Sequence, residues 1–357
     1  MDNKSLIDKL NQYKRLEHNE WTTLIGSFTE EDRAYAASLA RSITKEHFGN
    51  KIYFRGIIEF SNICKNDCYY CGIRRSNCRL SRYRLSNEDI LLCCREGYRL
   101  GYRTFVLQSG EDGYYTDERL VPLISAIRAK YPDCAVTLSI GERSRQSYEA
   151  LFAAGANRYL LRHETANAGH YAKLHPEGMS FEHRINCLWQ LKEIGYQTGC
   201  GMMVGTPFQT TETLAQDMEL ICEFQPAMVG IGPFIPHRDT PFGAEKAGSQ
   251  ELTLFLLSLT RIMLPRVLLP STTALGTVAA DGRINGVLAG CNVVMPNLSP
   301  LSVRKKYMLY DNKAGTEADA ETGLLQLKKQ MESIGREVVT GRGDHADYIK
   351  KEEAKND

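Results

Sequence analysis

From residue 51 onward, short β-rich runs alternate with amphipathic segments, and this alternation constrains the fold more than any other feature of the chain. The runs are 51–60, 103–108, 134–139, 158–163, 196–204, 227–232, 266–271 and 291–296. Between most of them lie stretches with helical spacing, at 86–100, 116–130, 144–154, 180–194, 211–224 and 249–263, and DGRINGVLAG supplies a short helix before the last run. Strand and helix in strict alternation predict βα units on a parallel sheet. Eight strands are what a closed (βα)8 barrel of the TIM type requires, and 357 residues are enough to build one. A six-stranded open barrel with two appended strands competes with it. Before residue 49 the spacing is helical, with Thr29 and Asp32 placed as a capping box, so residues 1–48 are expected to form an N-terminal helical extension. The barrel domain is expected over 49–340. The charged stretch 341–357 lacks apolar periodicity and reads as a frayed tail.

Active groups in such a barrel sit in loops at the C-terminal strand ends. After the first run come Cys64, Cys68 and Cys71 in a CxxxCxxC pattern, with Tyr70 before the last thiol. A tight loop carrying three thiolates suits three corners of one 4Fe-4S cluster and leaves the fourth iron without a protein ligand. A zinc knuckle would need a fourth ligand, for which Cys78 is the local candidate. Eleven cysteines, an odd number, do not describe a disulfide framework. The other eight sit mostly in apolar surroundings and read as core filler.

The second strand end carries Ser109, Gly110 and Glu111, where a glycine allows backbone to approach a ligand beside a carboxylate. On the fourth run alternation sends Arg162 and Glu164 to one side and His163 to the other. Arg162 and Glu164, with Arg184 from a following helix, suit a ligand bearing a carboxylate and hydroxyls, or else form a structural salt bridge. Arg55, Glu59, Thr272, Thr273 and Arg283 are further candidates at the lumen. Arg55, Thr272, Thr273 and Arg283 are the expected substrate contacts. His237 reads as a surface or loop residue, and Tyr114, Tyr115 and Tyr307 as packing aromatics. No catalytic residue is assigned.

Forty-four basic against 43 acidic residues leave a net charge of +1, so no global field recruits nucleic acid or an anionic membrane. With no apolar run long enough to span a bilayer and no signal core at the N-terminus, a cytoplasmic protein acting on a small molecule is expected.

The cysteine motif resembles that of the radical S-adenosylmethionine (SAM) superfamily. RGIIEFSNICKNDCYYCGIRR, LQSGEDGYY, LLRHETANAGHYAKLHP, MVGIGPFIPHRDTP and STTALGT together resemble the HydE family of FeFe-hydrogenase maturation enzymes, in the biotin-synthase-like group, over about residues 30–310. That resemblance implies a (βα)8 barrel, a cluster on Cys64, Cys68 and Cys71, and SAM on Ser109, Gly110, Glu111, Arg162, Glu164 and Arg184. It further implies cleavage of SAM to a 5′-deoxyadenosyl radical that acts on a small cysteine-derived iron complex during H-cluster assembly. An electron donor and other hydrogenase maturation proteins are the implied partners. Some members carry a second cluster on C-terminal cysteines, but no cysteine follows Cys291, so one cluster is expected here. The alternatives are a methylornithine-synthase-like amino-acid mutase and a non-catalytic iron–sulfur carrier.

Overall fold

A computed structural model of the chain describes residues 2–349. Helices Asn3–Tyr13, His18–Ser27 and Glu30–Phe48 come first. The third starts on the expected capping box: the Asp32 amide donates to Thr29 Oγ1 at 3.2 Å, and the Thr29 amide donates to Asp32 Oδ2 at 2.9 Å. These helices cover the apolar side of later ones, with Phe28 stacked on Phe255 at 4.5 Å between ring centroids.

The first expected strand breaks at Arg55 into β1 (Lys51–Phe54) and β2 (Gly56–Ser61). Strands β3 (Thr104–Ser109), β4 (Ala135–Ser139), β5 (Arg158–Leu160), β6 (Gln197–Val204) and β7 (Met228–Pro233) follow. They form one parallel sheet in the order β2-β3-β4-β5-β6-β7, each linked to the next by a helix packed outside. The short β8 (Val293–Val294) and β9 (Glu337–Val339) flank β1 in a second parallel sheet. This is an α/β fold on parallel sheets.

The seventh run, RVLLPS, forms only isolated bridges. Pro270 has no N–H to give a ladder, yet the Val229 amide donates to Leu268 O at 3.1 Å and the Ser271 amide to Val293 O at 2.9 Å. Beyond β8, the amides of Arg55 and Ile57 donate to Val294 O and Pro296 O at 2.9 Å each. Hydrogen bonds therefore run from β7 through 268–271 and β8 back to β2. The β9 strand was not expected from sequence.

The expectation of a frayed tail is corrected for its described part, residues 341–349; residues 350–357 lie outside the described residues. Asp344 meets Arg158 at 2.6 Å and Arg342 at 2.7 Å and accepts from Gln197 Nε2 at 2.6 Å, while Tyr348 donates to Tyr196 O at 2.6 Å. The charges that made this segment look solvated are paired against the N-terminal strand ends, and the segment closes that end of the sheet.

Candidate functional site

The cysteine loop is built before any ligand is considered. Its base is tied where the Leu85 amide donates to Phe60 O at 2.8 Å. Inside it, the Arg82 guanidinium donates to the carbonyls of Asn62, Ile73 and Asn77 at 2.6, 2.8 and 3.2 Å. Asp67 accepts from Arg74 Nε at 2.7 Å and from the Ser76 amide at 2.9 Å. Arg74 holds the Asp67 carboxyl well below the usual carboxylate range. Gly72 is required where it stands: a β-carbon there would lie 2.2 Å from Met308 O, and its amide donates to Leu309 O at 2.8 Å.

The three thiols of the loop line one cavity of about 340 Å³. Burial pushes all three up, Cys71 to about 12, and the mutual repulsion of nearby thiolates adds to the effect at Cys68 and Cys71. Three half-buried thiols in one loop take up metal only by losing protons, so a cationic centre and deprotonation come together. Among the described residues no three His, Cys, Asp or Glu side chains converge on a single metal-ion position. A zinc knuckle needs that convergence, whereas in a cubane each thiolate holds its own iron. Tyr70, beside Cys71, is fixed by His175: His175 Nδ1 lies 2.9 Å from Tyr171 O and so carries the proton, leaving Nε2 to accept from Tyr70 Oη at 3.1 Å. Burial lowers the pKa of His175 to about 4, which keeps it neutral in that role.

The polar strand ends converge on the same cavity. A β-carbon on Gly110 would meet Ile63 O at 2.4 Å, so only glycine lets this turn press against the cysteine loop. The Glu111 amide donates to Cys64 Sγ at 3.4 Å, and its carboxylate accepts from the Glu142 amide at 3.0 Å. Arg184 Nε lies 2.6 Å from Glu142 Oε1 and Arg162 Nη2 lies 3.2 Å from Glu164 Oε2. Of the structural salt bridges considered from sequence, the Arg162–Glu164 contact exists, while Arg184 pairs with Glu142.

Strand β5 ends at Leu160, shorter than expected, but the alternation holds beyond it. Arg162 and Glu164 line the cavity and His163 lies behind, fully buried, accepting from the Gly201 amide at 3.3 Å and facing Asp217 at 3.3 Å. Glu164 adopts φ +66°, a strained conformation for a non-glycine residue. Among the described residues, Arg162 Nε and Thr272 Oγ1 are buried without a hydrogen bond, while Glu111 Oε2, Arg162 Nη2, Glu164 Oε2 and Arg184 Nε have only ion-pair contacts, to Lys65 at 3.2 Å, to one another at 3.2 Å and to Glu142 at 2.6 Å. Buried groups left in this state are costly, and a zwitterion with hydroxyl groups would satisfy them.

Ser109, Thr272 and Thr273 also line this cavity. Arg283 lines a neighbouring one. Arg55 does not join them, which corrects the expectation that it contacts substrate. It stands immediately before β2 and lies at the opposite end, where Nη2 donates to Gly343 O at 3.3 Å and Nη1 lies 2.8 Å from Met228 Sδ. His237 stands in a loop after β7, as expected, but is buried rather than at the surface. Tyr307 lines the cavity, whereas Tyr115 packs in the core and Tyr114 is exposed. Sequence reasoning missed Lys313 and Tyr310, which reach the cavity from the segment after β8. Lys313 pairs with buried Glu59 and donates to Tyr307 O at 3.0 Å. Glu59 was the available signal, since a carboxylate facing the lumen requires a cation.

Residues 58–221 match the model of the radical SAM superfamily. The chain is 44% identical to the [FeFe] hydrogenase maturase subunit HydE of Thermotoga maritima, covering 90% of this chain and 93% of that protein. It is 30% identical to the 3-methylornithine synthase of Methanosarcina barkeri, over 86% and 87% of the two chains. The crystal structure of methylornithine synthase (PylB) superposes with a TM-score of 0.78 at 26% identity, covering 94% of this chain and 97% of that one. With the thiol loop and the charged strand ends meeting in one cavity, and with near full-length identity of this order, the chain belongs to the radical SAM superfamily and, within it, to the HydE family.

Proposed function

We propose that the protein is a radical SAM enzyme of [FeFe]-hydrogenase active-site assembly, acting on a small cysteine-derived iron complex. The observation that carries this reading is the convergence of three free thiols and of the charged groups Glu111, Arg162, Glu164 and Arg184 on one cavity, in a chain 44% identical to a hydrogenase maturase. Cys64, Cys68 and Cys71 would hold a 4Fe-4S cluster, and Ser109, Gly110, Glu111, Arg162, Glu164 and Arg184 would bind SAM. Bound and reduced, that pair supplies a 5′-deoxyadenosyl radical. The protein's own part is to orient and to exclude water: Glu111 and Glu164 offer acceptors, Arg162 and Arg184 offer donors, and Tyr307, Tyr310 and Lys313 cover the cavity, keeping stray hydrogen donors away. Thr272 and Thr273 are read as contacts for the substrate carboxylate.

We read the ring of strands and bridges as a (βα)8 barrel over 49–340 with the helical extension 1–48 packed on it. None of the described helices is long and apolar enough to cross a membrane, and we assign the protein to the cytoplasm, with an electron donor and other hydrogenase maturation proteins as partners. Similarity to methylornithine synthase favours a second reading, an amino-acid mutase. A carrier of iron–sulfur units would leave Arg162 and Glu164 without a role.

The test is product analysis with the reconstituted, reduced, SAM-loaded protein. Coupling of 5′-deoxyadenosine formation to consumption of an iron–cysteine complex is expected. Coupling to an amino acid alone would favour the mutase, and absence of SAM binding would favour the carrier.

A further inference from the structure

Beside the reaction cavity lies a second one, of about 230 Å³, that shares Ile57, Glu59, Thr273, Met295 and Lys313 with it. None of these belongs to the cluster or SAM set. At the inner end, Glu59 and Lys313 are both buried; at the outer end, Ala280, Gly315 and Asp319 are exposed. The chamber thus runs from solvent to the back of a buried ion pair. Its walls include Gly276 and Gly323, both inside helices. A β-carbon on either would meet nothing within 4 Å, and neither has a positive φ. A helical glycine costs about 1 kcal/mol relative to alanine, and here neither backbone conformation nor crowding requires one. What the two glycines do provide is room. Arg283 also lines the chamber, and its guanidinium makes no hydrogen bond or ion pair among the described residues. Arg304, on the same wall, is already committed to the carbonyls of Ser299 and Asn297 at 2.7 and 3.0 Å.

We infer that this chamber is the route by which a small, carboxylate-bearing substrate reaches the reaction cavity, with the Glu59–Lys313 pair as its gate. The inference rests on the functional reading above and adds a path to it. Arg283 draws the anion in. At the inner wall the incoming carboxylate replaces Glu59 as the partner of Lys313, while Glu59 keeps the hydrogen bond that Asn297 Nδ2 donates at 2.8 Å, so neither buried charge is left without a polar partner. The SAM-binding residues need not move.

Gly276→Leu and Gly323→Leu fill the chamber from two separate helices without touching the reaction cavity, and both favour helix. In cluster-replete, SAM-loaded protein each should lower kcat/KM for the iron–cysteine complex tenfold or more, while iron content and SAM affinity stay at wild-type values. Crystals of wild-type protein soaked in iodide should show an anomalous peak beside Arg283 that the filled variants lack. If kcat/KM stays within twofold while the leucines are seen to occupy the chamber, or if iodide does not enter the wild type, the route is wrong. Should wild-type protein fail to consume the iron–cysteine complex at all, the functional reading falls, and the iodide experiment alone then decides whether the chamber admits anions.

Discussion

The two ends of the parallel sheet are both rich in buried charge, yet they are opposite in kind. At the C-terminal strand ends, Arg162, Glu164, Arg184 and Glu111 surround about 340 Å³ of space. At the N-terminal ends, Arg158 and Arg342 close on Asp344, and the remaining gap beside Arg55 is only about 10 Å³. Inward-facing charge therefore does not mark a site. Charge around an open volume does. Arg55 illustrates the error of using charge alone, since its charge and its place on the first strand were what made it a candidate for the substrate.

The comparison breaks most visibly at the thiols. Replacing Cys64, Cys68 or Cys71 with Ala should take iron from about four per chain to near zero and abolish SAM cleavage; a variant retaining normal cluster absorption would remove the assignment. Because burial keeps these thiols protonated, anaerobic cluster loading should be faster at pH 8.5 than at pH 6.5. A flat profile would contradict that.

At the closed end, Asp344→Ala strips the buried arginines of their carboxylate and should cost on the order of 3–5 kcal/mol in denaturant unfolding, without altering SAM affinity. Burial alone would raise the Asp344 pKa, but Arg158 and Arg342 outweigh it and the net shift is downward. A depressed carboxyl stabilises the fold above its unfolded pKa of about 3.8. The wild-type advantage over Asp344→Asn should therefore be full at pH 6 and shrink as pH falls below about 4. An advantage that grew on acidification would refute the pairing.

At the open end, Glu164→Gln and Arg184→Ala should each weaken SAM binding about tenfold, roughly 1.4 kcal/mol, while the cluster remains. Unfolding of both variants would instead make these residues structural. The smallest effect is expected from Thr272→Val, a loss of about 1 kcal/mol in substrate binding from one hydrogen bond, read as a rise in KM at constant kcat.

What was legible in the sequence was local. Cys64, Cys68 and Cys71 fall within one turn-sized loop, and Arg162 and Glu164 declare a shared face by alternation, which survives even though β5 is short. Partnerships across long separations were not legible. Lys313 finds Glu59 only because the segment after β8 folds back over the cavity, and Asp344 finds Arg158 only because the tail turns under the sheet. The pattern in RVLLPS reads as a strand, but Pro270 limits it to bridges. Arg55 and Glu59 share a period of two in sequence, but four residues of extended chain separate them and place them at different ends of the strand.

The placement of β9 against β1 has a consequence for biosynthesis. The second sheet is completed by residues that emerge from the ribosome long after β1, and Asp344 follows later still. Until then β1 lacks one neighbour and Arg158 lacks its carboxylate, so closure of this end cannot precede completion of synthesis past residue 344. The segment 305–313 that covers the thiol cavity is translated more than 230 residues after Cys71, and while it is absent Gly72 has no Leu309 carbonyl to bind. The nascent chain thus exposes its thiol loop until residues 305–313 have emerged to cover it.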